Sequence, residues 1–240
     1  MKENKSIVTY VTDFFANRSS YYESDDDRLS EMNKLYQSLY MYDTVLHGIF
    51  LTFGLLGNLL IIYMYSFKIS KTRDDRNYIL SLAYVDFLLC IFCSSLVFSK
   101  NLSPLRFSND YACKLLMFFT NIFFTMSLFI LVAICIHRYR HICMSMAETV
   151  TPRTKLVVIG FSLAVSFVIA LLKLIFYKGL KVEITQDIMG HVCSADMTVR
   201  GSEVLVLGIT IFLIIVSAVG SIVMIVLYFL VAQVIFKQFD

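Results

Sequence analysis

The stretch CKLLMFFTNIFFTMSLFILVAICIHRY, Cys113 to Tyr139, decides the fold. Cys113 and Arg138 stand 25 positions apart, and Lys114 is the only Asp, Glu, Lys or Arg between them. A helix rising about 1.5 Å per residue covers roughly 37 Å over that distance, slightly more than the roughly 30 Å hydrocarbon core of a bilayer. Cys113 therefore belongs at one water interface and Arg138-Tyr139 at the other.

Composition requires the same environment. With 58% hydrophobic and 16% charged residues and a mean hydropathy of +0.73, a water-exposed 240-residue chain would be covered in apolar surface. The apolar runs expected to cross are about Thr44 to Phe67, Asn77 to Ser99, Lys114 to His137, Lys155 to Tyr177 and Val204 to Phe236. The fold class is all-α, a polytopic transmembrane bundle over residues 44–240 behind a tail of residues 1–43. Both prolines, Pro104 and Pro152, fall in connections.

Orientation follows from the basic residues. Lys68, Lys71, Arg73 and Arg76 crowd the first link, and Arg138, Arg140, Arg153 and Lys155 frame the third. The positive-inside rule makes those links cytoplasmic and the N-terminus extracellular. The net charge of +3 is thus a topology signal and gives no reason to expect nucleic acid as a partner. No apolar core follows Met1, so the first span is expected to act as the insertion signal.

The tail carries Tyr21-Tyr22-Glu23-Ser24-Asp25-Asp26-Asp27 and is expected to be disordered. It is either a solvated acidic segment or an electrostatic bait for a basic peptide, with Tyr21 and Tyr22 as sulfation candidates. Asn4 and Asn17 fit the glycan acceptor pattern, as does Asn101, where Pro104 weakens the match.

Of six cysteines, Cys113 and Cys193 alone fall on the oxidising side of this topology. They are the natural disulfide pair, two free thiols being the alternative. Cys90, Cys93 and Cys135 read as core fillers without metal-ligand spacing, and Cys143 follows span three.

Asp86 lies about 14 Å into the second span, near the midplane. Ser127 in span three and Asn58 in span one are similarly central. An ionisable group at that depth marks a functional site by default, and Asp86 with Ser127 is a candidate site for a sodium ion or a proton. The plainer reading is that Asn58 and Asp86 hydrogen-bond helices together.

These residues together resemble the first five helices of a rhodopsin-family (class A) G-protein-coupled receptor, five spans of an expected seven. Gly57-Asn58 resembles the helix-one motif, and Ser81-Leu82-Ala83 with Asp86 that of helix two. Cys113, Ser127, Leu131, Ile134, Arg138 and Tyr139 fall at the family's helix-three spacing, Cys193 in its outer loop and Tyr228 in helix five. The resemblance implies a ligand entering from outside, a shift of the inner ends of helices five and six, and a heterotrimeric G protein docking where they part. Arg138 would be the inner pivot and Tyr228 its active-state partner. Met144 and Met146 lie in the loop that a G protein would bury.

Three departures qualify it. His137 stands where the family has a carboxylate beside the arginine, and a neutral imidazole cannot replace that charge-assisted bond, so raised basal signalling is expected. The chain has no tryptophan, so the helix-four one is absent. Gly220, eight residues before Tyr228, occupies the place of a helix-five proline. Ending at Asp240, the sequence is expected to be a piece of a longer receptor or a five-span product.

Thr120 takes the position of the amine-receptor aspartate, which argues against a biogenic amine. Thr120, Asn121 and Phe124 are candidate pocket residues among Phe118, Phe119 and Thr125, although a Phe-rich stripe also suits helix packing. The tail and the Asp-Arg-Asn-Tyr-Ile-Leu-Ser-Leu-Ala entry to span two look most like peptide or chemokine receptors. The tail lacks the cysteine usual in chemokine receptors, and span two has no proline. The expected function is a plasma-membrane receptor, multi-pass, for an extracellular peptide or small protein, with a non-signalling decoy as the alternative. No paired-carboxylate or His-Glu constellation marks an enzyme, and no organic cofactor is expected.

Overall fold

The computed structural model describes residues 24–69, 75–107, 109–143, 151–185, 188–196 and 202–239, with only the backbone of residues 141–143, 202–203, 231–232 and 234–239. Five long helices are joined in sequence: α1 (Asp25–Tyr63), α2 (Arg76–Leu102), α3 (Asp110–Cys143), α4 (Pro152–Leu174) and α5 (Ser202–Phe239). Each is long and apolar enough to cross a membrane. A π-helical turn, Met64–Lys68, closes α1. Lipid lacks water to satisfy backbone groups, and a helix pairs them within itself.

Side-chain burial fits lipid outside and small groups inside. Phe50, Phe53, Phe161, Ile225 and Phe229 are exposed, whereas Ser162, Ser166 and Ala170 line the buried face of α4. Small residues let backbones approach where lipid gives helices no hydrophobic reason to associate. Ser162 and Ser166 donate their hydroxyls to Val158 O and Ser162 O, so neither is left unpaired in the apolar medium. The central rod is α3, which packs against α2, α4, α5 and β1. Its Met126, Ile130 and Ile134 join Tyr78 and Val85 of α2 in one buried cluster.

From Asp25 onward the tail expected to be disordered is helical, while residues 1–23 lie outside the described residues. The helix begins at Asp25 instead of Thr44, while Asn4, Asn17, Tyr21 and Tyr22 lie outside the described residues. Ser24 caps it by accepting from Asp27 N at 3.2 Å, and Asp25, Asp26 and Asp27 fill the first turn. Carboxylates there are favoured by the helix dipole. What reads as a solvated acidic run is therefore a helix start. Burial then holds the extension, because Met32 packs on Leu105 and Ile188, with Leu29, Tyr36 and Val192 around them. Asn33 Oδ1 accepts from Leu105 N at 3.0 Å, and Asp26 pairs with Arg106.

The connection after α4 is a β-hairpin, which the helical reading did not contain. β1 (Tyr177–Thr185) pairs antiparallel with β2 (Ile188–Ala195), Gly179 lying opposite Cys193. Leu180, Val182 and Ile184 alternate with polar or charged neighbours, the period of a half-buried strand. His191 binds the segment after α2 through two backbone bonds, its N–H donating to Leu105 O at 2.7 Å and its carbonyl accepting from Phe107 N at 2.8 Å. Asp110 Oδ1, at the head of α3, accepts from Gly179 N at 2.7 Å.

The α1 extension is expected to be ordered only through this packing. Met32→Ala should cost about 2 to 5 kcal/mol of local stability, the range for a buried methionine. Hydrogen exchange over residues 29–40 checks it: slow in the wild type and markedly faster in the variant.

Candidate functional site

The Cys113 end of the bundle is held by a disulfide, Cys113 to Cys193, with Cα atoms 5.6 Å apart. Both residues are buried beside Leu96 and Phe107. The bond ties β2 to α3 across 80 positions, as the sequence reading expected.

A cavity of about 520 Å³ opens between α3, α4 and α5 on the same half of the bundle. Thr120, Asn121 and Phe124 all line it, together with Lys173, Thr210 and Ser217. Asn121 is fixed at both ends: its Nδ2 donates to Met117 O at 2.7 Å and its Oδ1 accepts from Lys173 Nζ at 3.0 Å. Phe118 and Phe119 instead pack sideways, against Phe167 and Phe92 with centroids 5.6 Å and 4.7 Å apart. The aromatic stripe thus divides between wall and packing. Sequence reading passed over Lys173, the lone cation of the apolar half of α4, because a lysine at a helix end ordinarily serves as an interfacial anchor.

At mid-depth, the Ser127 side chain of α3 lies beside the Asp86 carboxyl group of α2. Asn58 is not brought to them by its amide, which donates to Gly54 O of its own helix at 2.9 Å. Asp86 and Ser127 offer three side-chain oxygens where hard cations take about six, so a cation held there would need further oxygen ligands. Among the described residues no group of three His, Cys, Asp or Glu side chains could hold a metal.

The Arg138 end contains the arrangement that sequence reading missed. Arg138 Nη2 lies 3.3 Å from Asp75 Oδ2, and Asp75 is the residue preceding α2. The Asp75 side chain is 14% exposed and that of Arg138 38%, so water screens the pair only in part. His137 is buried, its ring 5.7 Å from that of Tyr78. The carboxylate absent beside the arginine is therefore supplied from another helix. Asp75 sits among Arg73, Asp74 and Arg76, where its charge reads as part of a solvated link. Tyr139 is half-buried. Tyr228 shares a shallow crevice with Arg138, Cys135 and Leu227. Met144 and Met146 lie outside the described residues.

Gly220 faces Val132, and a Cβ there would come within 3.4 Å of Val132 Cγ2. The missing proline leaves α5 an unbroken helix, and the glycine lets it lie against α3.

A disulfide clamp, a side cavity and an arginine crevice lie along one rod of a five-helix membrane bundle, an arrangement that fits part of a seven-transmembrane receptor, and comparison with known families agrees. Residues 57–240 match the 7 transmembrane receptor (rhodopsin family) model, so the chain belongs to the rhodopsin family of G-protein-coupled receptors. It is a multi-pass membrane receptor and not an enzyme. Among curated proteins it is similar to a purinoceptor of Gallus gallus and to one of Meleagris gallopavo, each 27% identical over 175 residues. The match covers 72% of this chain and 48% of each relative, so the chain spans about half the length of the curated relatives it matches.

The close approach at Gly220 carries an expected outcome. Gly220→Val should overpack α5 on α3 and cost about 1 to 3 kcal/mol. Gly160→Val, at a position with nothing within 4 Å, should leave the melting temperature in detergent nearly unchanged.

Proposed function

We propose that this chain forms the ligand-binding and coupling core of a plasma-membrane receptor that takes an extracellular peptide or small protein, chemokine-like in class, and activates a heterotrimeric G protein. The N-terminus and the Cys113 end face outside, and Arg138 faces the cytosol. Two independent observations support that orientation: the lysines and arginines of the first and third links, and the disulfide, which persists in oxidising surroundings. The observation that carries the function is the Arg138–Asp75 pair beside Tyr228, at the opposite end of α3 from the cavity. Arg138 is held by one carboxylate, and Tyr228 lines the same crevice as an alternative partner for a two-position switch.

The two relatives are purinoceptors, which points to purines as another ligand class, and the cavity is of a size for either a peptide terminus or a small molecule. A decoy that binds without coupling is the second reading, favoured by His137 and Gly220 at switch positions. Asp25 and Asp26 weaken the electrostatic-bait idea, since Arg28 and Arg106 already pair with them.

Asp75→Asn is expected to raise ligand-free nucleotide exchange on a purified G protein roughly two- to fivefold, as fits a partly solvated ion pair of up to about 1 kcal/mol. Adding His137→Asp should bring exchange back down by restoring an anion beside Arg138. Exchange that stays at background in every variant, with ligand binding intact, is the result the decoy reading requires.

A further inference from the structure

Lys173, the penultimate residue of α4, is only 9% exposed and stands on the cavity wall. Burying an ammonium in an apolar medium is costly unless an anion or several acceptors meet it. Asn121 Oδ1 takes one of its three N–H donors, at 3.0 Å. Among the described residues no carboxylate forms an ion pair with it. Asp110 and Asp196, at this end of the bundle, are engaged by Lys114 with Gly179 and by Lys178. On the same wall the Thr120 hydroxyl oxygen is buried without a hydrogen-bond partner. The remaining lining is mainly apolar, Met117, Phe124, Leu213, Ile214 and Ala218, with Thr210 and Ser217 the other hydroxyl-bearing residues. A favourable interaction with the carboxyl end of the α4 dipole accounts for a cation in the last turn, but any face of that turn would serve, including one in water.

We propose that Lys173, with Asn121 and Thr120, anchors an anionic group of the ligand, a carboxylate or a phosphate. The proposal rests on the receptor reading above and names the chemistry its cavity recognises. A lysine is a point charge without the planar fork of arginine, so it accepts either anion, and the apolar lining strengthens the attraction. Asn121 positions the ammonium, and the Thr120 hydroxyl is a second donor close by. The rest of the ligand then lies along Phe124, Leu213 and Ile214.

The test uses the protein as its gene encodes it, purified in detergent, with inorganic phosphate and succinate as probes against chloride at equal ionic strength. Acetylation of individual lysines by a neutral reagent is followed by peptide mass spectrometry. Phosphate or succinate should slow acetylation of Lys173 by about threefold or more through occupancy, with Lys114 and Lys178 unaffected. Protection by phosphate alone identifies a nucleotide-like source, and protection by succinate alone a peptide carboxylate; both outcomes support the anchor. Equal rates in all three salts overturn it. Should Lys173 resist acetylation throughout, the melting temperature decides: an anion-dependent rise kept in Lys173→Arg and lost in Lys173→Met supports the anchor, and a rise equal in all variants overturns it. Neither measurement needs a G protein, so a failure of coupling in the exchange assay remains separate from a failure of anion binding.

Discussion

Everything in this molecule depends on the absence of water around its middle. A backbone in hydrocarbon must satisfy its own hydrogen bonds, which forces helices, and apolar side chains gain nothing by leaving lipid for the interior. The interior holds an apolar cluster between α2 and α3, small residues on the buried face of α4, and polar groups most of which bond within their own helix. Ser162 and Ser166 bond to carbonyls of their own helix, and Ser127 meets Asp86. The same constraint makes Lys173 conspicuous, because a cation at a cavity wall with a single amide acceptor is where the rule is least well obeyed.

Helix α3 is the element through which the parts communicate. It meets α2, α4, α5 and the hairpin, carries the disulfide at one end and Arg138 at the other, and contributes Asn121 to the cavity between. Its Cys113 end is anchored by a covalent bond, while its Arg138 end is anchored by a partly solvated ion pair. Rearrangement therefore costs less at the Arg138 end. The unbroken α5, lying close at Gly220, gives α3 a neighbour along which small displacements can pass.

The parts legible in sequence were those with a strong period or a forced location. Five apolar runs fix five helices, and a topology with two cysteines on one face fixes the disulfide. Thr120, Asn121 and Phe124 share the cavity because their spacing keeps them on adjoining faces of α3. What escaped depends on contacts between distant segments. The helix from Asp25 is stabilised by Leu105 and Ile188, some 70 to 160 positions away, and a local reading sees only an acidic run. The alternation of the hairpin strands is diluted by Gly179 and Gly190. Asp75 and Lys173 are ordinary charges at helix ends until the fold sets Arg138 and Asn121 against them.

The unbroken course of α1 has a mechanical consequence. Its 39 residues make a rod of about 58 Å, roughly twice what the hydrocarbon can enclose. The part that stands clear is stapled to the hairpin and to the segment after α2, and the part in lipid leans on α2. A stiff lever of this kind turns sideways force at its tip into tilt of the first span. Whatever grips Asp25 to Tyr36 from the water phase therefore acts on the membrane-embedded half directly, with no slack joint between.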